Sequence, residues 1–308
     1  MMEHFCGPML LEPEFARTMI GTLKSGDAQA IKGFVRGPRT LQISGETIQL
    51  NNGSHQGQRL RTGGGYSIVQ NMAIVPIFGP MFKGYGYLGF ADQTEIRNSI
   101  RQATLDRTVS GIMLLIDSPG GSVAGTSDLA DEVRAADAIK PVVAYVEDMA
   151  ASAAYWTAAS ARAIYSNGGM VGSIGCVTAL VDSSKFFESS GVRVIPIVTG
   201  NMKAVGMDGV PVTSEQVDYV QSMIDTIYTG FVDAVSKGRG ISESAIRAMQ
   251  ARVYVGPDSK RNGLVNGITT FEMAWDLLRR ASDKNYRSSV QSNATYINRL
   301  MREEINDW

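Results

Sequence analysis

From residue 66 onward the chain alternates short apolar runs with amphipathic stretches, and this alternation limits the fold more than any other feature. An apolar run bounded by turn residues is read as a buried strand, and spacing at three and four residues as a helix. Predicted strands cover Met72–Phe78, Gly111–Asp117, Pro141–Val146, Ala163–Ser166, Gly175–Val181 and Val192–Val198. Predicted helices lie near Ala91–Thr104, Thr126–Ala138, Ser152–Ser160, Ser183–Ser190 and Thr213–Lys237. Such alternation implies an α/β fold, with a largely parallel sheet and helices outside it.

The flanks differ from this middle. Residues 1–65 combine a predicted helix, about Glu12 to Lys24, with the polar stretch Asn51 to Arg59 and the run Gly63-Gly-Gly65, so a boundary is placed near residue 65. Residues 271–308 are polar and helix-prone with no strand signal, and read as a terminal helical arm used for packing or assembly. The expected organisation is therefore an N-terminal extension and linker over 1–65, a central domain over 66–270, and a helical arm over 271–308. A chain of 308 residues and 33.2 kDa is long enough to bury a core without disulfides.

Charge and composition exclude several function classes. The formal net charge of −1 provides no basic field for nucleic acid or an anionic membrane, so no nucleic-acid partner is expected. Charged residues make up 19% against about 25% in soluble domains, which argues for a packed core over disorder. Cys6 and Cys176 form no Cys-x-x-Cys pair, and histidine occurs only at His4 and His55, so no metal site is expected. The N-terminus has no basic segment leading into an apolar one, and no apolar run approaches the roughly 20 residues of a membrane span. A cytoplasmic protein without a membrane anchor is the expectation.

With so few histidines, acid–base chemistry must fall to other residue types. Asp117-Ser-Pro-Gly-Gly-Ser122 follows an apolar strand, where glycine N–H groups could form an oxyanion hole, although an ordinary turn reads the same way. Ser152, in Met149-Ala-Ala-Ser-Ala-Ala154, stands near a helix start among small side chains, as a nucleophile would. A helix N-cap is the plainer reading, and Ser118, Ser122 and Ser160 are rivals. Lys203, in Gly200-Asn-Met-Lys-Ala-Val-Gly206, would serve as a general base if apolar neighbours desolvated it. Gly84-Tyr-Gly-Tyr-Leu-Gly89 matches the dinucleotide fingerprint only formally, because five residues separate it from the preceding strand. Tyr85, Tyr87 and Phe90 suggest an aromatic loop beside a binding groove instead.

Four motifs in order, IDSPGGSV at 116–123, MAASAAYW at 149–156, VGSIGCV at 171–177 and GNMKAVG at 200–206, resemble the motif series of the signal peptide peptidase A-like serine proteases, peptidase family S49. The resemblance covers about residues 66–270, including FVDAVSKGRG at 231–240 and ARVYVGPDSKRNGLVNGI at 251–268. It implies a crotonase/ClpP-like fold with repeated ββα units, a Ser–Lys dyad and no organic cofactor. By position, Ser152 resembles the nucleophile, Lys203 the general base, and Ser173 the hydroxyl that orients the lysine. Gly120 and Gly121 resemble the oxyanion turn, with a contribution from the backbone at Ala153. Ala153-Ala154 stands where relatives commonly carry Gly-Gly, so the backbone there must avoid positive φ.

PMLLEPEFAR at 8–17 resembles the leader of the tailed-phage branch, the head maturation proteases. That resemblance implies a prohead protease whose partners are scaffold or capsid-associated proteins. Two alternatives stand beside it: a soluble bacterial peptidase that degrades signal peptides, and a non-catalytic, ring-forming assembly module. The family resemblance also implies a homo-oligomer. An extended peptide is expected to add to a strand edge between the Tyr85–Phe90 loop and the Gly120–Val123 turn.

Overall fold

The computed structural model describes residues 9–11, 39–43, 46–50, 65–84 and 90–283. In chain order the strands begin with β1 (Met9–Leu11), β2 (Arg39–Ile43), β3 (Glu46–Leu50), β4 (Ser67–Val69), β5 (Met72–Phe78), β6 (Met81–Phe82) and β7 (Ala91–Asp92). They continue with β8 (Gly111–Ser118), β9 (Gly120–Ser122), β10 (Val142–Ala151), β11 (Ala163–Ser166), β12 (Met170–Gly172), β13 (Val253–Val255) and β14 (Gly267–Ile268). The helices are α1 (Gln93–Leu105), α2 (Thr126–Ile139), α3 (Ala153–Ala159), α4 (Ser184–Ser189), α5 (Ser214–Arg239), α6 (Glu243–Ala248) and α7 (Pro257–Arg261), and residues 271–283 are helical too.

The main sheet runs β13-β12-β10-β8-β5-β4, with β11 on β10 and β14 on β11. Its central pairs, β5 with β8 and β8 with β10, are parallel, while β4 and β13 close the two ends antiparallel. Both faces are covered, which explains why these strands read as continuous apolar runs. Ala73, Val75 and Ile77 point to one cluster with Ile112, Leu114, Ile116, Val142 and Ala144, under α1, α2, α3 and α5. Met72, Ile74, Phe78, Met113, Leu115 and Tyr145 point the other way, onto Ile43, Ile48 and Leu50 of the β2–β3 hairpin and onto Phe271, Trp275 and Leu278. Each such aliphatic side chain contributes about 1.5–3 kcal/mol by leaving water.

A second sheet, β1-β9-β6-β7, lies beside the first. A long strand followed by short strands of this sheet and then a helix is the repeating unit. It occurs as β5, β6–β7, α1 and again as β8, β9, α2.

Two predicted strands are corrected. Residues 192–198 contain no strand, and 175–181 holds only an isolated bridge at Val177. Val181, Val192, Ile195 and Ile197 are exposed, Ile197 at 97%. An apolar run becomes a strand only where a sheet edge can pair with it, and the β13 side of the main sheet ends in an antiparallel closure instead. The helix predicted near Glu12–Lys24 and the polar stretch 51–59 lie outside the described residues, and what is described within 1–65 is β-structure. The arm predicted over 271–308 is helical through 283, its remainder being outside the described residues. Among the described residues no helix is long and apolar enough to cross a membrane.

Candidate active site

Ser152 fills the single position between the end of β10 and the start of α3, with φ 57° and ψ −119°. A residue with a Cβ rarely adopts this conformation, and holding it costs on the order of 1–3 kcal/mol. Two backbone hydrogen bonds impose it. The Ser152 N–H donates to the Gly172 carbonyl at 2.8 Å, and the Ser152 carbonyl accepts from Trp156 N–H at 2.9 Å, which starts α3. The plainer reading of Ser152 as a helix cap does not hold, because its side chain caps nothing. Its Oγ instead donates to the Gly175 carbonyl at 3.3 Å. A sharp strand-to-helix turn with a serine at its apex is the arrangement that presents a nucleophilic hydroxyl. Ala153 and Ala154 are inside α3 and have no positive φ, as their side chains require.

Ser173 is brought to the same place by sheet register. β10 and β12 run parallel with Ala151 opposite Gly172, so Ser152 and Ser173 each follow a paired residue. Ser173 is buried with φ 50°, and its N–H donates to the Arg252 carbonyl at 3.0 Å. The glycine before it answers to that neighbour: a Cβ on Gly172 would come within 2.8 Å of the Arg252 carbonyl oxygen.

The glycine turn arrives by a bulge. Between Val146 and Ala150 four residues of β10 advance against two of β8, so that Ser118 faces Ala150. The turn that follows, Pro119-Gly120, therefore begins next to the residues leading into Ser152. Gly120 has φ 94°, and its N–H donates to Ser118 Oγ at 3.2 Å. At Gly121 a Cβ would fall 1.7 Å from the Met81 carbonyl oxygen, so only glycine lets β9 approach β6.

Sequence reasoning missed one group here. The Arg39 guanidinium pairs with both Asp117 and Glu147 and lies 4.4 Å over the Phe78 ring. It thereby ties the end of β8 to the bulge of β10. Burial pushes the Glu147 carboxyl above the ordinary glutamate range, against the opposing pull of Arg39. The bulged Glu147-Asp148 after an apolar run was the only sequence signal of this clasp.

Lys203 is exposed, on the short 3-10 turn Asn201–Ala204, so the enclosure expected for it is not present within one chain. Among the described residues no hydrogen bond joins it to Ser152. Tyr85 and Tyr87 lie outside the described residues. Burial pushes the thiol of Cys176, next to Gly175, up to about 12, which keeps it protonated at neutral pH.

A serine in a costly backbone conformation beside a glycine turn is an arrangement suited to acyl transfer, and the comparisons narrow the class. Residues 134–285 match the model of peptidase family S49. Over this stretch, just under half of the chain, the protein is similar to peptidase family S49. A protein named as a protease in Methanocaldococcus jannaschii is 34% identical over 180 residues, 58% of this chain and 58% of its own length. The capsid assembly protease C of Escherichia phage lambda is 28% identical over 91% of this chain and 64% of its own. The head-tail preconnector protein GP5 of Enterobacteria phage P21 is 27% identical over 94% of this chain and 59% of its own. The chain thus spans about three fifths of the length of these relatives.

Proposed function

We propose that the chain is a serine endopeptidase on a crotonase/ClpP-like scaffold, with Ser152 as nucleophile, Lys203 as general base and Ser173 as the hydroxyl that orients the lysine. The observation that carries this reading is the backbone of Ser152, a costly conformation held at the one residue between β10 and α3. In the acylation step neutral Lys203 takes the Ser152 proton as Oγ bonds to the scissile carbonyl carbon. Backbone N–H groups of the Gly120–Gly121 turn and of Ala153 hold the oxyanion. The C–N bond then breaks, Lys203 protonates the departing amine, and a water deacylates Ser152 by the same route. Each oxyanion donor is worth about 10²–10³ in rate.

A general base must be neutral, and an exposed lysine becomes so when it is covered. The segment that carries Lys203 also exposes Val181, Phe186, Ile195, Ile197 and Met207. A second copy of the chain seated on this segment would remove that apolar surface from water, desolvate Lys203, and bring the lysine of one copy to the Ser152 of another. The homo-oligomer is thus read as part of the site.

Alignment with the two phage proteins runs over nine tenths of this chain, which supports a head maturation role in the host cytoplasm, with scaffold or capsid-associated proteins as substrates. Clearance of signal peptides is the second reading, favoured by 28% identity over 178 residues to a protein of Enterococcus faecium named as a signal peptide peptidase SppA. The test compares wild type, Ser152→Ala and Lys203→Ala on casein, on a tailed-phage scaffold protein and on synthetic signal peptides, following products by intact mass. Cleavage by wild type with both variants folded and inert is expected, and faster cutting of scaffold than of signal peptides favours the capsid role. A Ser152→Ala protein as active as wild type would put the nucleophile elsewhere.

A further inference from the structure

β9 has two edges and both are taken. On one side it runs parallel to β6, with Gly121 opposite Met81. On the other it is paired antiparallel by β1, with Met9 opposite Ser122, Leu10 opposite Gly121 and Leu11 opposite Gly120. The β6 side is permanent, because the glycine contact there leaves no space. The β1 side is a strand of three residues. Pro8 and Pro13 near its two ends lack the N–H that a longer ladder would need.

Strand addition is how sheets commonly bind extended peptides, with main-chain hydrogen bonds giving affinity. β9 is the strand where this matters, since it carries the glycines placed beside Ser152 by the register of Ser118 with Ala150. We infer that the outer edge of Gly120–Ser122 is the docking edge for extended apolar peptides and that Met9-Leu10-Leu11 is its tethered occupant, which substrate must displace. The inference rests on the protease reading above and adds to it a regulation and a substrate class. A substrate lying as β1 lies would have its residue opposite Gly120 next to the proposed oxyanion donors, and Leu11 holds that position now. The favoured substrates are accordingly extended segments with Met or Leu leading into the scissile bond. A tethered segment acts like a competitor at up to about millimolar concentration, so micromolar substrate competes poorly until β1 is released.

The test uses a fluorescent peptide of residues 7–16 and three forms of the inactive Ser152→Ala protein: the full chain, the full chain with Leu10→Pro, and a form without residues 1–11. Anisotropy should show the peptide binding the two altered forms at least about tenfold more tightly than the unaltered chain. With Ser152 restored, Leu10→Pro should lower KM for Met/Leu peptides by a similar factor while kcat changes little. Equal binding to all three forms, or to none, would overturn the inference. If the binding order holds and no form cleaves, the docking edge stands and the protease reading falls. If the forms cleave with one common KM, the edge is not occupied by β1 and the protease reading survives.

Discussion

At the scale of single residues, Ser152 sets stability against its proposed chemistry. Exchanging alanine for glycine in a regular element costs about 0.5–1 kcal/mol, because glycine loses more backbone freedom on folding. At φ 57° and ψ −119° the sign should reverse, since alanine keeps the Cβ that makes this conformation costly. Ser152→Gly is therefore expected to be about 1 kcal/mol more stable than Ser152→Ala in urea denaturation, both variants being inactive. Glycine as the less stable of the two would mean that the backbone there stores no strain. Ser152 stood out as a candidate in the sequence through its motif and its small neighbours, whereas its conformation did not show there. It depends on the Gly172 carbonyl and on the start of α3, which meet Ser152 only once the sheet is assembled.

At the scale of elements, α3 is a short, wholly buried helix whose position comes from outside it. The Trp156 ring stacks on Phe231 of α5 at 4.7 Å and 7°, and a Cβ on Gly238 would fall 1.9 Å from the Ala159 carbonyl oxygen. α5 is thus seated on α3 by one ring pair and one close backbone approach. Phe231→Ala should cost about 3–5 kcal/mol in a denaturant titration, with activity lost even in the fraction that remains folded, because the α3 end that carries Ser152 loses its support. A loss below about 1 kcal/mol would show that α5 is dispensable for seating α3. The strands and helices of the core were readable because burial on both sheet faces leaves unbroken apolar runs, as in Gly111–Ser118. Periodicity failed where a run had no edge to join, as at 192–198. It was passed over at Arg39–Ile43 and Glu46–Leu50, where alternating residues around Ser44-Gly45 spell a hairpin. The tie from Arg39 to Asp117 and Glu147 left no trace beyond the acidic pair Glu147-Asp148 after an apolar run, because charge pairs that distant in sequence leave no shared local pattern.

At the scale of the whole molecule, the proposed nucleophile Ser152, buried at the end of β10, and the proposed base Lys203, exposed on the 201–204 turn, are incomplete in one chain. Either the 176–212 segment folds back over its own Ser152, or a second copy supplies the lysine, and mixing inactive proteins separates the two. Ser152→Ala retains Lys203, and Lys203→Ala retains Ser152. If each site draws its serine from one copy and its lysine from the next, an equal mixture allowed to exchange subunits places both intact groups together in about a quarter of sites. Activity should then reappear from two inert preparations, rise with total protein concentration as association proceeds, and approach about a quarter of the wild-type rate. A dyad formed within one chain gives no rescue at any ratio, because every copy in the mixture lacks one of its two groups. Wild-type cleavage that does not depend on concentration, together with no rescue, would assign Lys203 to its own chain and leave the exposed apolar segment to another partner.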